Sequence, residues 1–137
     1  MRVAVVDGQG GGIGKAIVEK IRQAMGQNIE ILALGTNALA TAAMLKAGAD
    51  EGATGENAVG VNVPKVDCIL GSVGIVSSNS MLGELTPKMA RAIAESPARK
   101  VLIPLNRCGL FVVGTRNEPL PKYIDEAVEI LKSMAQP

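Results

Sequence analysis

The chain contains no histidine and no tryptophan, and aromatic residues make up only 1% of its 137 residues. The absence of histidine excludes catalytic triads and metal sites that depend on an imidazole. With so few rings, the core must be built from Val, Ile, Leu, Ala and Met, whose small side chains favour closely packed α/β layers. The two cysteines, Cys68 and Cys108, fit no zinc-binding spacing. We therefore expect no metal site and a reduced protein.

Charge of one sign and long apolar runs are also scarce. The net charge is +1 and no basic run occurs, so we expect no nucleic-acid partner. No uncharged stretch reaches the length of a membrane span, and 31–45 is interrupted by Gly35, Thr36 and Asn37, so we expect no membrane span. The segment after Arg2 does not resemble a secretory leader. These features predict a cytoplasmic protein, and the length suits a single domain over residues 1–137.

Glycine, in contrast, is concentrated near the start of the chain. Five glycines lie between Gly8 and Gly14, directly after the apolar run Val3–Val6 and before a helical pattern. A strand, a glycine turn and a helix together present backbone N–H groups and a helix N-terminus to a phosphate. Glycine allows the tight turn and lets ligand oxygens approach the backbone. This stretch therefore predicts a nucleotide-binding turn.

Apolar strand candidates alternate with helical patterns along the chain, which predicts a mostly parallel sheet covered on both faces. The predicted strands are Arg2–Val6, Glu30–Leu34, Glu51–Thr54, Asp67–Leu70 and Val101–Ile103. We expect a three-layer, Rossmann-like α/β domain with strand order 3-2-1-4-5. A flavodoxin-like order is the alternative if Glu51–Thr54 is not a strand. The link 106–109 is too short for a helical crossover, so Leu110–Val113 is predicted to pair antiparallel at the sheet edge.

Two common phosphate-loop patterns fail over Gly8–Lys15. The P-loop pattern requires glycine where Gln9 stands and a hydroxyl residue where Ala16 stands. The G-x-G-x-x-G pattern fails in both registers, because its last position falls on Ile13 or Lys15. These mismatches count against a P-loop kinase or ATPase.

A third spacing, Gly8, Gly12 and Gly14, resembles the nucleotide-binding turn of short-chain dehydrogenases. The segment 67–75 is similar to that family's fourth-strand segment, with its last glycine kept as Gly74. The resemblance covers the first half of the chain and implies NAD(P) at the turn.

The resemblance to short-chain dehydrogenases does not extend to their catalytic pair. That family's tyrosine is followed four residues later by lysine, whereas Tyr123 is followed at that spacing by Ala127. Dehydrogenase chemistry is therefore not transferred, and whether the protein is an enzyme stays open.

Most of the chain resembles an uncharacterised family of short bacterial proteins. The matching runs are the glycine-rich opening, the segment Ala33–Ala43 and the Met-Leu-Gly-Glu segment at Met81–Glu84. This resemblance implies a Rossmann-like fold and assigns no activity.

The predicted ligand lies across three segments. Its phosphate is expected on Gly8–Gly14 and its adenosine end near Gly35–Asn37. The segment Gly71–Gly74 is expected to form the opposite wall of the site. NAD(P) is the leading ligand, followed by CoA or a mononucleotide. No acidic residue or arginine stands at the end of the second strand to choose between NAD and NADP. The candidate ligand-binding residues are Gly8, Gln9, Gly10, Gly11, Gly12, Ile13, Gly14, Gly35, Thr36, Asn37, Gly71, Ser72 and Gly74.

Several polar residues near this site have two interpretations. Asp7 either accepts hydrogen bonds from loop amides or holds a metal or a ligand hydroxyl, and its charge would repel a pyrophosphate. Asn37 either caps a helix or contacts a ribose. The hydroxyls of Ser77–Ser80 contact either a ligand or loop backbone. Arg107, beside Asn106, either pairs with a phosphate or is solvated. Cys108 has no histidine to activate it and is not expected to be catalytic.

Two functions from different classes follow from these patterns. The first is a cytoplasmic nucleotide-binding protein with its ligand on the glycine turn. The second is a non-enzymatic interaction or regulatory domain that keeps the fold without a ligand. The helix after Asn37 carries Lys46 as its only charge, so a homodimer is expected to bury part of that helix or of the C-terminal one.

Overall fold

A computed structural model describes residues 1–105, 107 and 109–135 of the chain. Strands and helices alternate along most of this length. The strands are β1 (Arg2–Asp7), β2 (Glu30–Gly35), β3 (Glu51–Thr54), β4 (Cys68–Ser72) and β5 (Arg99–Ile103). The helices are α1 (Gly12–Met25), α2 (Ala38–Ala47), α3 (Glu56–Asn62), α4 (Pro87–Glu95) and α5 (Leu120–Ala135).

The five strands form one parallel sheet in the order β3-β2-β1-β4-β5, which confirms the predicted order. In the centre, β1 pairs with β2 on one side and with β4 on the other. The flavodoxin-like alternative is wrong, because β3 forms and pairs with β2, with Leu32 opposite Glu51. The chain therefore adds strands first to one side of β1 and then to the other, which creates a crevice between β1 and β4.

Two hydrophobic cores lie on opposite faces of the sheet, so the three-layer prediction is confirmed. Alternate side chains of a strand point to opposite faces. Val3 and Val5 belong to a core that contains residues of α1, α2 and α5. Ala4 and Val6 belong to the other core, with residues of α3 and α4. Because both faces are covered, β1 is apolar almost throughout instead of alternating.

Helices α2 and α4 start at the capping residues that the sequence indicates. The Asn37 side chain accepts a hydrogen bond from the Ala40 N–H (2.8 Å) and caps α2. Thr86 caps α4 by accepting one from the Met89 N–H (3.2 Å). Such caps satisfy N–H groups that have no partner within the helix. No helix in the described part of the chain is both long and apolar enough to cross a bilayer.

The predicted antiparallel strand at Leu110–Val113 is wrong. The Leu110 N–H bonds the Arg107 carbonyl, and the Thr115 N–H bonds the Val112 carbonyl, so turns occupy this region. Gly109 and Gly114 have φ angles of 73° and 90°, which bend the chain at both ends of the apolar run. β5 has a sheet partner only in β4 among the described residues. The short apolar run favoured a strand, but local turn formation prevails.

Candidate functional site

A cleft of about 240 Å³ opens at the carboxyl ends of β1 and β4. This is the point where the strand order reverses, and in open α/β sheets such points are where ligands bind. The cleft contains residues from the glycine turn, from the segment after β4 and from the segment after β5. Its lining residues are Asp7, Gln9, Ile13, Ser72, Gly74, Ser80, Met81, Leu82, Leu105 and Arg107.

Three glycines of the turn are required by the protein's own packing. A Cβ on Gly8 would lie 2.5 Å from Thr36 Oγ1, and one on Gly14 would lie 2.6 Å from Met44 Sδ. Gly11 has a φ of 75°, and a Cβ there would lie 2.8 Å from the Cα of Ala40. Gly11 and Gly14 let α2 pack against the turn and the start of α1, and Gly8 leaves room for Thr36 and Met81, whether or not a ligand binds.

Gly10 and Gly12 are different, because nothing in the fold requires glycine at either position. A Cβ on either residue would meet no atom within 4 Å, and neither φ is left-handed. Their backbone N–H groups form no hydrogen bond within the described part of the chain. Open space and free donors remain where the sequence predicted a phosphate.

The buried side chain of Asp7 stabilises the turn through hydrogen bonds to its backbone N–H groups. It is 5% exposed, and its two carboxylate oxygens accept hydrogen bonds from the N–H groups of Gly8 (2.8 Å) and Gly14 (2.6 Å). Of its two predicted roles, the bonding of loop amides is confirmed. Burial raises the pKa of Asp7 above its ordinary value of 3.8, and the N–H group of Gly14 is the largest opposing influence. The carboxylate thus uses donors of the α1 N-terminus that a phosphate would otherwise contact.

Glu84, which was not among the predicted site residues, lies against the other side of the turn. Its Oε1 accepts hydrogen bonds from the Gln9 N–H (2.8 Å), the Thr36 hydroxyl (2.8 Å) and the Asn37 amide (2.7 Å). These donors, Gln9 first, hold the pKa of the Glu84 carboxyl below its ordinary value of 4.5. Glu84 therefore joins the glycine turn to the end of β2.

The predicted adenosine segment Gly35–Asn37 lies on this Glu84 side. Gly35 is packed against α2, since a Cβ there would lie 2.1 Å from Thr41 Oγ1. Asn37 caps α2 through its carbonyl oxygen, and its amide also donates to the Gln9 carbonyl (3.0 Å). Its role as a cap is confirmed, and the polar groups of Thr36 and Asn37 are engaged within the protein.

The segment after β4 supplies the other wall of the cleft. A Cβ on Gly71 would lie 2.8 Å from the Val6 carbonyl, so this glycine serves close strand packing. Ser72 lines the cleft, and its hydroxyl has no hydrogen-bond partner in the described part of the chain. Gly74 lies between Ser72 and Ser80. Within the predicted Ser77–Ser80 loop, the Ser80 hydroxyl donates a hydrogen bond to the Gly74 carbonyl (2.6 Å). Of the two interpretations of this loop, Ser80 therefore fits the contact with loop backbone.

Residues with left-handed backbone surround the cleft. Gln9, Met81 and Leu82 have φ angles of 50°, 58° and 57°, and all three line it. Such conformations are unfavourable for residues with side chains and are concentrated at functional sites. Leu82 is 97% exposed, so apolar burial does not explain its position.

Arg107 is the only cation among the described residues that line the cleft. It is exposed, and its guanidinium forms no hydrogen bond or ion pair with the described residues. It therefore remains available to an anionic ligand group. The predictions for its neighbours Asn106 and Cys108 lie outside the described residues.

A second hollow, of about 380 Å³, lies between β5, α5 and residues 114–118. It is larger than the cleft but contains none of the predicted site residues. Tyr123 lies there, and its hydroxyl donates to the Arg116 carbonyl. No cluster of three His, Cys, Asp or Glu side chains able to hold a metal is present among the residues described.

Comparison with solved structures places the fold among known α/β proteins. A dodecameric FMN-dependent UbiX-like decarboxylase from Escherichia coli O157:H7 is similar over 99% of this chain and 96% of its own, with a TM-score of 0.52 and 14% identity. A universal stress protein in complex with cAMP is similar over 74% of this chain and 95% of its own, with a TM-score of 0.42 and 18% identity. The first likeness shows the fold alone.

Sequence comparison assigns the family. No curated protein matches the sequence. The profile described as domain of unknown function (DUF3842) matches residues 2–136, almost the whole chain. This match confirms the resemblance to an uncharacterised family. The chain therefore belongs to the DUF3842 family of domains of unknown function.

Proposed function

We infer that residues 1–137 act as one ligand-binding domain whose cleft takes a phosphate-bearing molecule of mononucleotide size. The observation that carries this proposal is the state of Gly10 and Gly12. The fold does not need glycine at these positions, and both leave free N–H groups and open space next to Gln9 and Ile13, their chain neighbours that line the cleft. A bound phosphate explains both features, because it needs backbone donors and close approach.

The polar and apolar residues of the cleft suit the two ends of such a ligand. Arg107 and the Ser72 hydroxyl supply a positive charge and a hydrogen-bonding group without protein partners among the described residues. Ile13, Met81 and Leu105 supply apolar surface for a planar or aliphatic body. Asp7 adds limited repulsion, since its carboxylate is turned to the amides of Gly8 and Gly14.

The dimensions favour a mononucleotide over NAD(P) or CoA. Pockets that enclose a whole drug-sized ligand measure roughly 300–1,000 Å³, so this cleft of about 240 Å³ encloses at most part of a mononucleotide and a still smaller share of a dinucleotide. A dinucleotide would have to extend across the turn to Thr36 and Asn37, whose polar groups are bonded to Glu84. FMN is a useful probe because the decarboxylase of similar fold is FMN-dependent by its description.

Thermal shift against FMN, AMP, FAD, NAD, NADP and CoA tests the proposal. A ligand at about one hundred times its dissociation constant stabilises the fold by about 2.7 kcal/mol. We expect FMN or AMP to raise the melting temperature. Gly12→Val should abolish the shift while leaving the fold intact, because the added side chain enters open space. Arg107→Ala should weaken it.

Gly60→Val is the matched control. Gly60 lies in α3, a Cβ there also meets no atom within 4 Å, and α3 contributes no residue to the cleft, whereas Gly12 directly precedes the lining residue Ile13. The variant should therefore keep the ligand-induced shift. If the unaltered protein shows no shift with any probe, or Gly12→Val keeps it, the proposal is wrong.

An interaction or regulatory domain without a ligand is the second candidate function. Its support is that carboxylates of the protein already bond the turn, Asp7 at Gly8 and Gly14, and Glu84 at Gln9. A turn in which most N–H donors are bonded by the protein itself can serve structure alone. A flat thermal shift across the whole panel would favour this function.

We further propose a cytoplasmic homodimer that buries α2. Leu39 and Leu45 of this helix are 68% and 40% exposed. Burial of two such side chains per subunit would be favourable. Light scattering should give twice the chain mass, and Leu39→Lys should give the monomer mass. A monomer mass for the unaltered protein over a wide concentration range would exclude the dimer.

A further inference from the structure

One oxygen atom of Glu84 accepts three hydrogen bonds from two separate parts of the chain. Glu84 Oε1 lies 2.8 Å from the Gln9 nitrogen, 2.8 Å from Thr36 Oγ1 and 2.7 Å from Asn37 Nδ2. Gln9 belongs to the glycine turn, and the other two follow β2. Three donors converging on one negatively charged oxygen form the kind of arrangement that binds a ligand anion or hydroxyl.

The same oxygen lies directly against the glycine turn. A Cβ on Gly8 would be 3.2 Å from Glu84 Oε1 and 2.7 Å from Met81 Sδ. Glu84 therefore covers the turn on its β2 side, whereas Met81 and Leu82 of the same segment line the cleft, which opens on the β4 side. The β2 side is occupied by protein, and the β4 side is free.

We propose that Glu84 is a specificity-determining residue that restricts the site to mononucleotide-sized ligands. Its carboxylate fills the place, beside Gly8 and between Thr36 and Asn37, that the second nucleoside of a dinucleotide would need. The inference rests on the proposed function of the cleft. It adds that the fold retains the space for the second half of a dinucleotide, and that the Glu84 side chain fills this space.

Two effects exclude the larger ligand. The side chain occupies the space and its donors, so a ribose hydroxyl finds Thr36 and Asn37 already bonded. The negative charge also repels a pyrophosphate that crosses the turn, and Asp7 on the β1 side adds to this repulsion. A truncated side chain removes both effects, whereas an amide of the same shape removes only the charge.

Titration calorimetry with two matched ligand pairs tests the inference. AMP and ADP-ribose share adenosine monophosphate, and FMN and FAD share the flavin mononucleotide. For the unaltered protein we expect one mononucleotide to bind at least tenfold more tightly than its larger partner. Glu84→Ala should shift this ratio at least tenfold toward ADP-ribose or FAD. Glu84→Gln should keep most of the discrimination, because its amide oxygen still accepts the three hydrogen bonds.

Thr86→Ala is the control for general loosening of this segment. It removes the α4 cap on the Met89 N–H without touching Glu84 or its donors. It should leave the ratio of the two affinities unchanged, because a purely structural loss does not alter selectivity.

The outcomes separate this inference from the proposed function. An unchanged ratio in Glu84→Ala, with mononucleotide binding intact, overturns the role of Glu84 and leaves the proposed function standing. Gain of ADP-ribose or FAD binding by Glu84→Ala supports the role of Glu84 even if the unaltered protein binds no mononucleotide. If no variant binds any of the four ligands, both proposals are wrong.

Discussion

The two sides of the glycine turn differ in how many of their polar groups are already hydrogen-bonded within the protein. On the β2 side, Gly35 is packed against Thr41, and Thr36 and Asn37 are bonded to Glu84. On the β4 side, the Ser72 hydroxyl has no protein partner among the described residues and lines an open cleft. The same strand–turn–helix unit thus has one closed side and one open side. A glycine-rich motif alone does not reveal which side is available to a ligand.

The largest expected contrast comes from adding the same methyl group to a packed glycine on the β2 side and to a glycine of the turn that has open space around it. Gly35→Ala should lower the free energy of unfolding by about 3 kcal/mol, because its Cβ would lie 2.1 Å from Thr41 Oγ1 and 2.7 Å from the Thr41 nitrogen. Gly12→Ala should change it by less than about 1 kcal/mol, since the methyl group enters open space at a helical position. Urea denaturation measures both values.

Equal losses in Gly35→Ala and Gly12→Ala would contradict the division into a closed and an open side. Gly60→Ala provides the reference, because it adds a methyl group to an exposed helical glycine with open space around it. It should be neutral or stabilising by up to about 1 kcal/mol.

A second contrast concerns the two carboxylates of the turn. Asp7→Asn should destabilise the protein by about 2 kcal/mol, because Asp7 is buried and one of its two amide-bonding oxygens becomes an NH₂ group. Glu84→Gln should cost less than about 1 kcal/mol, since Glu84 is half-buried and the new amide still offers one acceptor oxygen. The measurement is again the midpoint and slope of urea unfolding.

Asp67→Asn supplies a carboxylate control away from the turn. Asp67 is exposed, and its Oδ2 accepts a single hydrogen bond, from the Arg2 N–H. It should behave like Glu84→Gln and not like Asp7→Asn. If Asp7→Asn is no more costly than Asp67→Asn, Asp7 is not the main support of the turn.

The strand order was predictable from the sequence because its causes are local and repeated. Continuous apolar runs such as Val3–Val6 indicate strands buried on both faces, and the helical patterns between them require parallel crossovers. The caps at Asn37 and Thr86 were likewise visible, because each bonds an amide three residues away. Short-range chemistry of this kind can be read from one sequence.

The exceptions have physical reasons that the sequence alone does not display. Leu110–Val113 has the composition of a strand, but turns at both ends prevail over sheet pairing. Glu84 bonds residues 75 and 48 positions away along the chain, a distance at which no spacing pattern applies. Its only signal was the Met81–Glu84 run in the family resemblance. The left-handed backbone at Met81 and Leu82 could not be predicted, because neither residue is a glycine.

The smallest expected effect distinguishes the two carboxylates by the sign of their pH dependence. The pKa of Asp7 is raised, so the folded protein binds this proton more tightly than the unfolded chain, and the Asp7 contribution to stability increases as the pH falls toward 3.8. The pKa of Glu84 is lowered, so its contribution is complete above 4.5 and is lost as the pH falls through the folded-state pKa. Between pH 7 and pH 4, the stability advantage of the unaltered protein over Asp7→Asn should therefore grow, whereas its advantage over Glu84→Gln should begin to shrink.

Urea unfolding of the three proteins at half-unit pH steps measures both differences. Parallel pH profiles for the two variants would show that Asp7 and Glu84 experience the same surroundings, and the distinction between a buried support and a solvent-facing cover would be wrong.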